Sequence, residues 1–136
     1  IASDHAGFRL KEFIKDFLIN KNITIIDLGP INEDSVDYPD YAKKVSNRIK
    51  LSKSDVGILV CGSGTGMAIS ANKTKKIRAA VCYNLKSTRL SRLHNNANII
   101  SLGARLTNKN DAFKMISTFL NTKFEGGRHL KRVKKI

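Results

Sequence analysis

Short apolar runs alternate with amphipathic stretches along this whole chain, and few folds satisfy that alternation. Val56–Val60 (VGILV) is a continuous apolar run flanked by Lys53 and Asp55. Ile23–Leu28 (ITIIDL), Ala79–Tyr83 and Ile99–Leu102 are similar short runs, and Ile1–Ser3 reads as the end of another. Between them the pattern is helical. Leu10, Phe13, Ile14, Phe17 and Leu18 form one stripe and predict a helix over 7–20. Tyr38–Leu51, a stretch of about two or three turns before Arg78, Leu85–Leu93 and Lys109–Asn121 supply the others. Strands apolar on both faces are covered by helices on both sides. The expected fold is α/β: a three-layer, Rossmann-like α/β/α sandwich around a parallel sheet of about five strands with right-handed crossovers.

The length of 136 residues suits one domain, 1–136, with one sizeable core. No run of about 18 apolar residues is present, so no membrane partner is expected. No basic segment followed by an apolar stretch opens the chain. The start at Ile1-Ala2-Ser3, without Met, leads us to expect a few further N-terminal residues. Cys61 and Cys82 allow at most one disulfide, and free thiols in a reducing cytoplasm are the simpler reading. The excess of 25 Lys+Arg over 11 Asp+Glu gives +14, which raises nucleic-acid binding as a hypothesis. The basic residues are scattered, aromatics are only 7%, and no stacking platform is visible. A specific nucleic-acid partner is therefore not expected, and a small anionic substrate needs only a few local cations.

Ligands of open parallel sheets bind outside the carboxyl ends of the strands, so residues at strand ends carry the most information. Asp4 and His5 follow the first run, and Cys61 with a glycine loop follows VGILV. Tyr83 and Asn84 follow Ala79–Tyr83; His94 and Asn95 precede Ile99–Leu102, and Gly103-Ala104-Arg105 follow it. This collection reads as a site at one sheet edge. The loop Gly62-Ser63-Gly64-Thr65-Gly66 fits no nucleotide fingerprint, because no Gly-Lys pair occurs and Met67 stands where a third dinucleotide glycine would fall. Glycines between a strand and a helix can turn N–H groups inward beside a helix N-terminus, which makes a hole for a phosphate or an oxyanion. Cys61 at that end is either a nucleophile or base, favoured as thiolate, or a buried structural thiol. His5 and His94 are either site residues or structural histidines. Near the C-terminus, Gly126-Gly127 precede Arg128 and Arg132, which would share a helical face and could clamp a phosphate, or form a solvated basic tail.

The stretches SDHAGF, DLG, VDYPDYA, GILVCGSGTGMAISANK, IRAAVC, LSRLHNNANIISLGAR and FEGGRHLKRV occur in this order. They resemble the family of B-type ribose-5-phosphate isomerases and galactose-6-phosphate isomerase subunits over essentially the whole chain. The resemblance implies aldose–ketose isomerisation of a sugar phosphate, without metal or cofactor. It implies that His94 opens the furanose ring as an acid, with Asp4 near the ring oxygen. Cys61 would move the proton between C2 and C1. The N–H groups of Gly62, Ser63, Gly64, Thr65 and Gly66, with Asn95, would hold the enediolate, and Ser63 would shuttle a proton between the sugar oxygens. His5, Arg105, Arg128 and Arg132 would take the phosphate, and Tyr38 would pack on the sugar. Some members carry Glu directly after the last loop glycine; Met67 here implies the cysteine-base type. The resemblance further implies a homodimer or dimer of dimers with sites between subunits. Many members continue beyond the position of Ile136 into a helix. Ribose 5-phosphate is the expected substrate, and galactose 6-phosphate or allose 6-phosphate the alternative.

Overall fold

The computed structural model describes residues 1–52 and 55–136; Lys53, read above as flanking a strand, lies outside them. The elements are β1 (Ala2–Ser3), α1 (Phe8–Ile19), α2 (Tyr38–Leu51), β2 (Gly57–Cys61), α3 (Thr65–Ala71), β3 (Ala79–Val81), α4 (Leu85–Asn95), β4 (Ile99–Gly103), α5 (Lys109–Asn121) and α6 (Gly127–Val133). All strands pair in parallel in the order β1-β2-β4-β3. Every residue of β2 and β4 is buried, as a sheet covered on both faces requires.

Period-2 alternation along β2 sorts the core into two layers. Ile58 and Val60 join Leu10, Ile14, Met115, Ile116 and Phe119 from α1 and α5. Leu59 and Cys61 join Ala42, Val45, Ile49, Met67 and Ala71 from α2 and α3. The Cys61 side chain is thereby fixed on the α3 face. Local signals end the helices: Asn84 and Ser87 form a reciprocal capping box on α4, Asn96 closes that helix in left-handed geometry, and the Asn108 side chain accepts from the Asp111 N–H at 2.9 Å. No described helix is long and apolar enough to cross a membrane.

Among the described residues the sheet has four strands, not about five. Ile23–Leu28 lies beside β1 but is not a strand. The Ile1 amine donates to the Ile26 carbonyl at 2.8 Å, the Leu28 N–H to Ile1 at 2.9 Å, and the Ser3 N–H to Gly29 at 3.0 Å. The last bond skips a residue, so no regular ladder forms along the two-residue β1. The stretch is instead tied to α1 through Lys11, whose side chain is fully buried. Its ammonium donates to both Asp27 carboxylate oxygens at 3.0 and 2.9 Å and to the Pro30 carbonyl at 2.7 Å.

Candidate active site

The sheet order places one crevice above all others. The chain leaves β1 toward the Ile23–Leu28 edge, whereas from β2 it crosses to β4 and β3 on the other side. The direction reverses between β1 and β2, and the carboxyl ends of strands flanking such a reversal are where open α/β sheets bind ligands. Asp4 and His5 follow β1, and Cys61 and the glycine loop complete β2.

Each group there is held by short local contacts. Asp4 is buried; its N–H donates to Val60, and its Oδ1 accepts the Gly7 N–H at 2.9 Å. His5 is exposed, and its Nδ1 accepts from the Val36 N–H at 3.3 Å, which leaves Nε2 as the proton-bearing nitrogen of the neutral ring. The Cys61 sulfur accepts the Gly64 N–H at 3.1 Å. Cys61 and Cys82 are both free. Burial pushes the Cys82 thiol up, against smaller opposing hydrogen bonds from Thr88 and Ser91.

The loop is closed by contacts that only glycine allows. Gly64 sits at φ +80°, and a Cβ there would meet the Leu102 backbone at 2.9 Å. A Cβ on Gly103 would meet the Ser63 backbone at 2.7 Å. The Ser101 hydroxyl pins the Gly64 carbonyl at 2.6 Å. Two side chains lie over the remaining glycines: the Arg105 guanidinium over Gly62 and the Tyr38 ring over Gly66. Above the start of α3, the N–H groups of Thr65, Gly66 and Met67 precede the first intrahelical bond, from Ala68 to Gly64. The Thr65 N–H donates to Ser63 Oγ at 3.3 Å, and Thr65 Oγ1 lies 3.4 Å from the Tyr83 hydroxyl. Asp4, His5, Tyr38, Cys61, Gly62, Ser63, Gly64, Thr65, Gly66 and Arg105 thus belong to one edge.

His94, Asn95, Arg128 and Arg132 do not. The expectation of a single sheet edge fails for His94 and Asn95 within one chain, because α4 begins at the carboxyl edge after β3 and runs back to the other. Its 11 residues span about 16 Å. His94 and Asn95 occupy its last turn. There α6 packs on α4, and the Glu125 N–H donates to the Leu93 carbonyl. The His94 and His129 rings stack with centroids 4.2 Å apart and planes 8° from parallel. Glu125 Oε2 lies 3.7 Å from His94 Nε2 and 4.0 Å from His129 Nε2. Arg128 and Arg132 are exposed one turn apart on the helix that follows the glycines, as expected. Among the described residues, Arg105, Arg128 and Arg132 have no carboxylate within ion-pairing distance, so all three cations remain available to an anion.

Glu125 and His129 were not candidates in the sequence. The signal was present in FEGGRH, where they stand four apart, but the stacking partner lies on another helix. The two nitrogens and the carboxylate fall within 4.8 Å of one another, a donor set that suits a divalent metal. The rings are nearly parallel, however, so their in-plane lone pairs do not converge on one ion. An apolar groove of about 410 Å³, lined by Ile23, Ile25, Ile26, Val56, Ile58 and Leu120 among others, carries no comparable cluster.

A family model described as Ribose/Galactose Isomerase matches residues 1–136. A Rickettsia bellii protein named putative sugar phosphate isomerase is 48% identical over 136 residues, covering 100% of this chain and 94% of that protein. The structure is also similar to a ribose 5-phosphate isomerase from Thermotoga maritima, at 52% identity and TM-score 0.96, covering 98% of this chain and 92% of that one. It is similar as well to ribose-5-phosphate isomerase B from Mycoplasma genitalium with bound ribulose-5-phosphate, at 41% identity and TM-score 0.94, covering 98% and 90%.

Proposed function

The chain belongs to the ribose/galactose isomerase family, and from that premise we propose that it interconverts ribose 5-phosphate and ribulose 5-phosphate. The single observation that carries the chemistry is Cys61, its sulfur hydrogen-bonded by Gly64 at the mouth of a glycine cradle, in a chain 41% identical to an enzyme that holds ribulose-5-phosphate. Aldose and ketose are isomers, so proton transfers alone balance the reaction.

The furanose binds with its phosphate on His5, Arg105, Arg128 and Arg132 and its body against Tyr38. His94 protonates the ring oxygen as the ring opens, water takes the proton released from the anomeric hydroxyl, and Asp4, held by Gly7, faces that end of the sugar. Cys61 then takes the proton from C2. The charge moves onto the carbonyl oxygen, where the N–H groups of the Gly62–Gly66 loop and the Asn95 amide stabilise the enediolate. Ser63 carries a proton from one sugar oxygen to the other, and Cys61 returns its proton to C1. Met67, which follows the last loop glycine, is buried and carries no group that can take a proton, which leaves the base to Cys61.

His94 and Cys61 lie at opposite ends of one sheet, so one chain does not complete this site. A second copy, arranged so that its α4 end meets the cradle, supplies His94, Asn95, Arg128 and Arg132. The working unit is then a homodimer, or a pair of such dimers, in the cytoplasm.

The test is turnover of ribose 5-phosphate by the purified protein beside galactose 6-phosphate and allose 6-phosphate. Turnover of the pentose alone is expected. Turnover of a hexose alone would keep the chemistry and move the substrate, and a folded, oligomeric protein inert toward all three would overturn the assignment.

A further inference from the structure

His129 has no task in the reaction as derived, yet its position is unusual. Its side chain is nine-tenths buried, and its Nε2 has no hydrogen-bond partner. Its ring lies flat against His94, which is itself partly open to solvent. We propose that His129 is a buried stacking platform that, with the Glu125 carboxylate, holds the His94 imidazole in position for ring opening. The proposal rests on the reading of His94 as the ring-opening acid.

Three observations support it. The two rings meet face to face, with centroids 4.2 Å apart and planes 8° from parallel, which fixes the tilt of the His94 ring. Burial first, then His94, Arg128 and Arg132, hold His129 below the ordinary imidazole value, with only Glu125 opposing. Glu125 is nearer to His94 Nε2, at 3.7 Å against 4.0 Å, and is more than half exposed. It thus adds a negative charge beside His94 without enforcing a hydrogen bond that would compete with substrate. The charged groups facing the stack are Glu125, Arg128 and Arg132, all from the segment leading into α6 or from α6 itself. His129 is therefore a positioning residue.

Two variants separate this role from a proton relay or plain packing. His129→Ala removes the platform; His129→Phe keeps a flat ring that binds no proton. Ring opening is read as ribose 5-phosphate turnover, and the later step as exchange of the C1 hydrogen of ribulose 5-phosphate, an open-chain sugar, with deuterated solvent. His129→Ala is expected to lose turnover about 10- to 100-fold with exchange little changed, and His129→Phe to restore most of it. In Glu125→Gln, whose site is exposed and whose folding is not in question, turnover is expected to fall about 2- to 5-fold with exchange unchanged. An inactive but folded His129→Phe would mean that His129 handles a proton, and unchanged turnover in Glu125→Gln would remove the carboxylate's role; either overturns the proposal. Full ribose 5-phosphate turnover in His94→Asn would instead sink the reading of His94, and is recognised separately.

Discussion

At the carboxyl edge of the sheet, the backbone of the cradle touches its neighbours so closely that a Cβ on Gly7, Gly64 or Gly103 would fall within 3 Å of another main-chain atom. Around Gly126 and Gly127, which open the helix bearing the other half of the proposed site, an added Cβ would meet nothing within 4 Å. The first region is built of main chain and admits one arrangement. The second is built of side chains, two stacked imidazoles beside a half-exposed carboxylate and two exposed arginines. In the reaction we propose, the general base and oxyanion donors need fixed geometry, whereas the ring-opening acid is a side chain that must reach the sugar from another element.

The largest expected effect tests whether the two regions meet only across a pair of chains. Cys61→Ala and His94→Asn should each lose on the order of 100-fold or more in turnover. Mixed after unfolding and refolding together, they should recover about a quarter of wild-type activity, since half the dimers are mixed and one of each two sites is intact. Recovery of nothing, from dimers shown to exchange, would mean that each site is made within one chain.

A smaller effect probes what ties the Ile23–Leu28 edge to α1. Asp27→Asn should cost about 2 kcal/mol in denaturant melts; this is less than a fully buried pair because Glu12 and the Pro30 carbonyl still hold Lys11. Burial would raise the Asp27 carboxyl, but hydrogen bonds from Lys15, Lys11 and the Gly29 N–H outweigh it and hold it below its usual value. Its contribution is therefore present above the ordinary carboxylate range, near pH ~4, and is lost as pH falls through the depressed native value. The acid limb of the stability profile should flatten in Asp27→Asn.

Gly64→Ala combines a left-handed backbone with a main-chain clash and should cost roughly 2 kcal/mol or more. Gly127→Ala, at φ +50° with nothing within 4 Å of an added Cβ, meets only the left-handed penalty, about 1 kcal/mol. Equal losses of melting temperature would erase the contrast between the two regions. The smallest effect is Glu125→Gln, which should leave stability within about 0.5 kcal/mol in denaturant melts.

Much of this was legible in the chain itself. The apolar alternation located α5 at Lys109–Asn121, placed Cys61 at the end of a buried strand and put the glycine loop before a helix, because each rests on contacts between near neighbours in sequence. Three things were not legible. Ile23–Leu28 has the composition of a strand, but whether it pairs depends on how much of β1 is there to pair with. Lys11 looks like the polar side of an amphipathic helix; only the return of Asp27 and Pro30 past α1 buries it. His94 stands beside strand residues in sequence, yet the helix that carries it runs the length of the sheet and leaves it at the far end. Local chemistry is written in residue order. Which end of the molecule each group reaches, and that His129 lies beneath His94, is decided by packing between segments far apart along the chain.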